Sequence, residues 1–381
     1  MDALTPAHEF VLASLRRDPR AAMALAAATA RVSDWRAVEL LAARHDVGWW
    51  VVRALPASAV PAVRRALEDR VRRIAAESLA GTQALLEIIA ALDNAGVAAV
   101  AYKGPALSSD VHGDLGARYV TDLDVLVGAR HRERAEQALT ALGYEPSVAY
   151  TTREARVYTR WEGVSHFRHP QGVVPVELHW RVQAPRYGAP QDPATIVGRA
   201  RVCTLAGRSI PVPAIEDLAV LLAVHGVKHA WSSLLWVADF AAAVGRAGFD
   251  WDQLGRVAAE WNVRRAVYDA LLVARTLLAL DVPAEWLARA QRDANAVALA
   301  ADAVRALLSD AEHPNDGLES TPAYDLRWLD GSRAKLRYLV LAAALPTPQE
   351  RRAVRLPDAL LPLAVPVRLG RLVGRAFGAK R

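Results

Sequence analysis

The chain has 381 residues, 53% of them hydrophobic and 23% charged, so it is long and apolar enough for two or three packed units and is neither disordered nor fibrous. Its one cysteine, Cys203, excludes an internal disulfide and a cysteine-cluster metal site, which favours a reducing cytoplasmic location, and neither a signal peptide nor a spanning helix is expected. The net charge of +6 comes from residues 346–381, with eight basic and two acidic side chains, so the rest of the chain is neutral and polynucleotide binding is disfavoured.

Helices are predicted over residues 1–94. The apolar positions of residues 67–92 recur at helical spacing, and Gly96 is placed for a left-handed cap. The short apolar run 97–102 then predicts a buried strand, and Pro105 suits the first turn of a following helix.

The middle of the chain mixes strands with a helix. A strand is predicted at 121–127 and a helix at 130–142, and further strands are predicted at 156–161, 164–169, 173–180, 202–205 and 209–213. Helices are again expected from 215 to about 345. We therefore expect an α/β (α+β) protein with four parts: an N-terminal helical domain (1–94), an α/β core (95–213), a C-terminal helical domain (214–345) and a basic amphipathic tail (346–381).

Two carboxylates on the predicted strand 121–127 carry the main chemical signal. Residues i and i+2 of a strand share a face, so Asp122 and Asp124 emerge together while Leu123 and Val125 face the core. Two such anions repel by roughly 4 kcal/mol at an effective dielectric constant of about 20. They need a shared proton or a cation, and Mg²⁺ is the natural counter-charge for hard oxygen ligands.

A third carboxylate lies on the predicted strand 173–180. There Glu177 shares a face with His179, while Val176 and Leu178 fill the other face. Three acids on adjacent strands could hold two Mg²⁺ ions, the arrangement that assists phosphoryl or nucleotidyl transfer. His179 is expected to be a neighbour of this site and not a ligand, because Mg²⁺ prefers oxygen.

Two cationic positions precede the carboxylates. Lys103 and Gly104 form an exposed turn after the first strand, and Arg118 lies four residues before Asp122; both could meet a triphosphate. The alternatives are a surface lysine at a turn and an arginine paired with Asp122 or Asp114.

These residues together resemble a known family. The runs 101–107, 116–118 and 121–127 resemble the KGxxL…R…DxDhLV signature of a bacterial nucleotidyltransferase-like family in the DNA polymerase β superfamily. Residues 34–45, 177–180 and 225–239 resemble its other motifs, so the resemblance spans roughly residues 30–340. It implies a small mixed-sheet core flanked by N-terminal and C-terminal helical domains.

The resemblance also implies roles for the site residues. Asp122 and Asp124 would be ligands of two Mg²⁺ ions, and Glu177 would be a ligand of one and a base toward an acceptor hydroxyl. A Mg-bound nucleoside triphosphate (NTP) would be the donor. The acceptor, a small molecule, peptide or protein, does not transfer with the fold.

The sequence departs from the superfamily at two places; the altered phosphate turn favours an alternative function, whereas the three retained carboxylates oppose it. The superfamily's usual Gly-Ser or Gly-Gly turn stands shortly before the first aspartate, whereas here Lys103-Gly104-Pro105 lies about eighteen residues upstream, and Glu177 stands where many relatives have Asp. A catalytically silent relative could bind a nucleotide, a peptide or a partner protein through the same sheet. A distance discriminates: Glu177 oxygens well over about 7 Å from both aspartates would leave no shared metal site.

The predicted C-terminal helices carry further candidates. His225 and His229 have the spacing of a zinc-protease helix, but Gly226 stands where the glutamate would be needed, so packed or capping histidines are favoured over zinc. Lys228 and His229 are candidate nucleotide or acceptor contacts. Cys203 is expected to be a buried apolar residue, not a nucleophile.

The tail 346–381 mixes apolar residues with arginines. It could lie on an anionic membrane, grip RNA or an acidic partner, or pack on the body as a last helix, for which residues 367–377 are the one clean amphipathic stretch. Docking on the body or plain solvation is favoured over membrane binding.

Overall fold

A computed structural model describes residues 4–148, 162–187, 192–309 and 321–344. The predicted strand 156–161 and the tail 346–381 lie outside these described residues. The helices before the sheet are Pro6–Leu15, Ala21–Thr29, Trp35–Arg44, Gly48–Ala54 and Pro61–Asn94. Those after it are Ile215–Lys228, Leu234–Val244, Trp251–Glu260, Arg264–Leu278, Ala284–Arg292, Ala294–Leu307, Pro322–Trp328 and Gly331–Ala344.

Local signals explain the ends of the N-terminal helices. The Asp34 side chain accepts a hydrogen bond from the backbone N–H of Ala37 at 3.0 Å and so caps the helix Trp35–Arg44. The long helix Pro61–Asn94 has proline in its first turn and is followed by Gly96 at φ +66°, as the sequence predicts. By length and composition alone this helix could cross a membrane, but its two halves pack on two different cores of the protein.

The central sheet has five strands: β1 (Ala99–Ala101), β2 (Leu123–Val127), β3 (Glu145–Pro146), β4 (Val164–Arg168) and β5 (Val176–His179). Their order is β1-β2-β5-β4-β3, in which β2 and β5 are parallel and the other neighbours are antiparallel. Short helices lie at Gly104–Leu107, Arg132–Ala141 and Ala194–Gly198, and a separate hairpin pairs Arg201–Leu205 with Arg208–Val212. The predicted fold class, a small mixed sheet flanked by helices, is confirmed.

The two faces of the sheet have different neighbours, because side chains alternate along each strand. Leu123 and Val125 of β2, with Val176 and Leu178 of β5, join a core with the second half of the helix Pro61–Asn94. The strand faces predicted from alternation are therefore confirmed. The opposite face of the sheet carries Asp124 and is turned toward the C-terminal helices.

A second core joins the two helical regions. It contains Phe10 and Val51 from the N-terminal helices together with Trp231 and Leu271 from the C-terminal helices. The two regions thus pack against each other on the same side of the sheet. The division into domains at residues 94, 213 and 345 stays a prediction.

Candidate active site

Three polar side chains meet on the face of the sheet that is turned toward the C-terminal helices. Asp124 on β2 lies opposite Glu177 on the parallel strand β5, and His179 follows two residues later on the same face. His179 Nε2 lies 3.1 Å from Asp124 Oδ1 and 3.3 Å from Glu177 Oε2. Among the described residues, these three form a group whose metal-ligating atoms all lie within 4.8 Å of one another.

Further polar groups surround this cluster. Lys103 Nζ donates to Asp124 Oδ1 at 3.2 Å, the Tyr102 hydroxyl lies 3.3 Å from His179 Nε2, and His166 Nδ1 on β4 lies 3.1 Å from Glu177 Oε1. Asp124 is only 2% exposed, and its Oδ2 has no hydrogen-bond partner among the described residues. This buried oxygen is therefore available to a cation or a proton, while Lys103 and His179 offset the charge of the carboxylate at Oδ1.

The charges of the cluster shift its titration. Burial raises the pKa of Asp124, but Lys103 and His179 more than offset this and hold the pKa well below its usual range. Burial is likewise outweighed at Glu177, whose pKa is lowered by hydrogen bonds from His166 and His179. Burial lowers the pKa of His179, yet the two carboxylates raise it overall. The two carboxylates are therefore stabilised in their ionised form.

Asp122 lies just before β2 and outside this cluster. Its side chain is half-buried and accepts a hydrogen bond from the Thr121 hydroxyl at 3.3 Å. Burial raises its pKa, and the charges of Asp124 and Glu177 raise it further. Strand β2 begins at Leu123 and not at Thr121, so regular alternation does not extend to Asp122. The Asp122 carboxylate is near enough to those of Asp124 and Glu177 for their charges to affect it, but Asp122 does not belong to the group of ligand atoms formed by Asp124, Glu177 and His179.

The turn at Lys103 and Gly104 lies directly beside the aspartates. The Tyr102 backbone N–H donates to the Asp124 carbonyl at 3.3 Å, because β1 runs antiparallel to β2. Gly104 has φ +57°, and a Cβ at this position would lie 3.3 Å from the Asp122 carbonyl oxygen. Glycine lets the chain turn here without backbone strain. The turn and Asp122 are therefore neighbours in the fold, although about eighteen residues separate them along the sequence.

Arg118 is held away from this turn, in a buried ion pair. Its Nε lies 3.0 Å from Asp239 Oδ2, and both side chains are at least nine-tenths buried. The other oxygen of Asp239 contacts His112 Nε2 at 2.7 Å, and Arg17 contacts the Nδ1 atom of His112 at 2.9 Å. The structure places Arg118 between the sheet region and the helix Leu234–Val244. The phosphate contact considered for it stays a prediction.

The helix Ile215–Lys228 brings a second cationic group toward the cluster. Burial lowers the pKa of Lys228, and the positive charges of Lys103 and Arg186 lower it further, which shows that these cations face a common region. The rings of His225 and His229 are 4.8 Å apart, and His225 packs edge-on against Trp236 at 4.7 Å. Neither histidine belongs to the metal-ligating group found among the described residues.

An unusual turn ends this helix. Ala230 and Trp231 both have positive φ, +49° and +51°, a conformation that bulky residues rarely adopt. The Trp231 indole N–H donates to Asp269 Oδ2 at 2.7 Å, and its ring lies against the backbone of Gly226. Trp231 thus fixes the last turn of the helix, from which Lys228 projects.

The sequence interpretation placed His179 beside the metal and did not single out His166 or Tyr102. Alternation along β5 identified the shared face of Glu177 and His179. The contribution of Tyr102 from β1 and His166 from β4 depends on strand order, for which the local sequence carries no signal. An apolar groove of about 730 Å³ between the helices Pro6–Leu15 and Trp35–Arg44 contains none of the predicted site residues.

Comparisons with known proteins identify the family. A family model described as an uncharacterised nucleotidyltransferase matches residues 31–279. The match covers 249 of the 381 residues, so the chain belongs to that family. No curated protein matches the chain.

Three chains of solved structures match. One is the solution structure of the antibiotic-resistance factor ANT(2'')-Ia, with 13% sequence identity and a TM-score of 0.34. The alignment covers 50% of this chain and 94% of that chain. At this level of similarity, the substrate of the present protein has to be argued from its own site.

Proposed function

We propose that this nucleotidyltransferase family member moves a nucleoside monophosphate from a Mg-bound NTP to an acceptor, with release of pyrophosphate. The observation that carries the proposal is the cluster of Asp124 and Glu177, with one buried Asp124 oxygen that has no hydrogen-bond partner among the described residues. In the reaction, an acceptor oxygen forms a bond to the α-phosphorus, and the bond from that phosphorus to the pyrophosphate oxygen breaks.

The residues present fit a divalent cation. Asp124 Oδ2 is available to a cation, Glu177 lies on the neighbouring strand, and the half-buried Asp122 adds a third carboxylate beside them. Carboxylate oxygens are the ligands that Mg²⁺ prefers. When bound, Mg²⁺ would supply positive charge to the phosphate oxygens and lower the pKa of the acceptor hydroxyl.

Two lysines provide charge for the triphosphate. Lys103 stands 3.2 Å from Asp124 Oδ1, and the Lys103 ammonium can turn from this carboxylate to a phosphate oxygen because its side chain is long and flexible. Lys228 faces the same region from the C-terminal helices, with His229 one residue further along the chain. Anion binding between the sheet and this helix would relieve the repulsion between the two lysines.

The hydrogen bonds around Glu177 hold its side chain in place. His166 contacts one of its oxygens and His179 the other, so the carboxylate stays ionised and its orientation is fixed. We assign it to cation binding at the acceptor side; its lowered pKa makes it a weak base, so the acceptor proton passes to solvent. We propose a small molecule, peptide or protein as the acceptor, because the zero net charge of residues 1–345 disfavours a polynucleotide.

The alternative of a catalytically silent relative is disfavoured by one distance. A shared metal site would be ruled out if the Glu177 oxygens lay well over about 7 Å from both aspartates. Ligating atoms of Asp124 and Glu177 lie within 4.8 Å of each other. The site thus keeps the carboxylate spacing that a cation needs.

Calorimetric titration tests the proposal without knowledge of the acceptor. ATP, GTP, CTP and UTP are titrated into the wild-type chain with and without Mg²⁺, and into the variant Asp122→Asn/Asp124→Asn. We expect at least one NTP to bind in a Mg²⁺-dependent manner and the variant to lose that dependence.

The half-buried residue Asp114, whose Oδ1 accepts a hydrogen bond from the Gly116 backbone N–H at 2.8 Å, supplies a matched control, because asparagine can keep that bond. It pairs with Arg53 at the surface and lies outside the cluster, so Asp114→Asn should bind NTP as the wild type does. If no NTP binds the wild type at millimolar concentration, the proposed reaction is wrong, and a search for protein or peptide partners takes its place.

If an NTP binds, production of pyrophosphate with candidate acceptors is the next measurement.

A further inference from the structure

We propose that His179 is itself a ligand of the divalent ion, and that this nitrogen donor makes the site prefer Mn²⁺ to Mg²⁺. The inference rests on the proposed function, since it concerns the cation of the same site. It goes beyond the three carboxylates by adding a ligand of different chemistry and by naming the ion that this ligand selects.

Strand geometry places the imidazole at the centre of the cluster. Asp124 and Glu177 are opposite each other on parallel strands, and His179 lies two residues further along β5, opposite Leu126 of β2. Glu177 and His179 are two residues apart, so both side chains project from the same face. The side chain of His179 is 15% exposed, that of Asp124 1% and that of Glu177 28%, so the nitrogen and the Asp124 oxygen are shielded from water while Glu177 lies on the accessible side of the group.

The distances match those between ligands of one ion. Donor atoms held at about 2.1 Å from a cation, at right angles to each other, are about 3 Å apart. His179 Nε2 lies 3.1 Å from Asp124 Oδ1 and 3.3 Å from Glu177 Oε2. An ion could therefore accept all three atoms without movement of the strands, once Lys103 Nζ, which lies 3.2 Å from Asp124 Oδ1, turns away from that oxygen.

Hydrogen bonding alone accounts poorly for the position of this nitrogen. His179 Nε2 has a third oxygen neighbour, the Tyr102 hydroxyl at 3.3 Å. A protonated Nε2 can share its proton between the two carboxylates, but it then has no lone pair for the proton of the Tyr102 hydroxyl. A cation between the nitrogen and the carboxylates uses the lone pair and both carboxylates together.

The donor set decides the preferred ion. Mg²⁺ is bound almost always by oxygen, whereas imidazole suits first-row transition ions, and carboxylates accept Mn²⁺ as readily as Mg²⁺. Two carboxylates with one imidazole therefore favour Mn²⁺ over Mg²⁺. We expect a lower Kd for Mn²⁺ than for Mg²⁺, because imidazole is a donor that a first-row transition ion accepts better than Mg²⁺ does.

His166 is a natural control for this role. It also contacts Glu177, at 3.1 Å, but on the other carboxylate oxygen, and its side chain is 51% exposed. It lies on β4, with β5 between it and β2. His166 can orient Glu177 but does not reach the three-atom group.

Electron paramagnetic resonance on the full chain tests the inference. Mn²⁺ is titrated into wild type, His179→Asn and His166→Asn, Kd values for Mn²⁺ and Mg²⁺ are measured by competition, and electron spin-echo modulation detects nitrogen coupled to the bound Mn²⁺. The wild type and His166→Asn should show histidine nitrogen coupling and the Mn²⁺ preference. His179→Asn should lose both.

A second measurement does not depend on the folding of His179→Asn. In the wild type and in His166→Asn grown with ¹⁵N-histidine, the ¹⁵N pattern should replace the ¹⁴N modulation, which assigns the bound nitrogen to a histidine other than His166. Bound Mn²⁺ without nitrogen coupling, or with coupling that survives in folded His179→Asn, overturns the inference and leaves the carboxylate site of the proposed function standing. Failure of both ions to bind, with and without NTP, overturns both proposals.

Discussion

Gly226 is the position at which the end of the helix Ile215–Lys228 is most sensitive to one added carbon atom. A Cβ at Gly226 would lie 2.4 Å from Cη2 of Trp231 and 2.5 Å from two further ring atoms. The ring is fully buried, and its N–H is held by Asp269. Because it cannot rotate into solvent, Gly226→Ala must displace the indole.

The expected loss of stability follows from three contributions. Overpacking of a buried site costs about 1–3 kcal/mol. Weakening of the hydrogen bond from Trp231 to the buried Asp269 costs about 1–3 kcal/mol more. Replacement of glycine by alanine in a helix returns about 1 kcal/mol. The net free energy of unfolding should therefore fall by about 3 kcal/mol, and the position of Lys228 should change with it.

Urea unfolding followed by tryptophan fluorescence measures the change, and Gly255→Ala is the matched control. Gly255 also lies in a helix, Trp251–Glu260, and faces a tryptophan, but a Cβ there would lie 3.4 Å from the Trp286 ring, an ordinary contact distance. The control should be as stable as the wild type or up to about 1 kcal/mol more stable. If Gly226→Ala unfolds at the same urea concentration as Gly255→Ala, the close packing of Trp231 is not what requires glycine.

Three further predictions concern buried groups. Burial raises the pKa of Asp269 to about 7, against about 3.9 in an unfolded chain, so the folded protein keeps a proton that the unfolded chain releases between those values. Stability should fall as the pH rises from about 4 to about 7, by up to about 4 kcal/mol, and Asp269→Asn, compared by urea unfolding at several pH values, should remove that slope. Arg118→Leu leaves the Asp239 carboxylate buried without its partner and should lower the free energy of unfolding by about 3 kcal/mol, whereas Arg53→Ala, in an exposed pair, should change it by less than about 1 kcal/mol. Reduced NTP affinity at unchanged stability in Arg118→Leu would instead indicate a phosphate contact. Burial raises the pKa of Cys203 to about 11, so at pH 8 its reaction with a thiol reagent should be slow until the chain is unfolded in urea; rapid labelling of the folded chain would contradict its burial.

The sequence by itself determined the local features of this protein. The spacing of apolar residues identified the long helix that ends before Gly96. Alternation along two strands placed Asp124 and Glu177 on the face opposite to their apolar neighbours, which lie in the core. Such patterns are readable because they depend on residues two to four positions apart. The candidate carboxylates and their class of chemistry followed from them, with the family resemblance.

Only the tertiary structure decided which of these groups meet. Lys103 reaches Asp124 across 21 residues and His179 reaches it across 55, because β1 and β5 flank β2 in the sheet. The sequence offered Arg118 a phosphate contact or a pair with Asp122 or Asp114, and the fold pairs it with Asp239, a residue from a distant helix. Strand order and helix packing depend on which faces of the strands and helices are buried against each other. A short stretch of sequence does not predict the partner of each face.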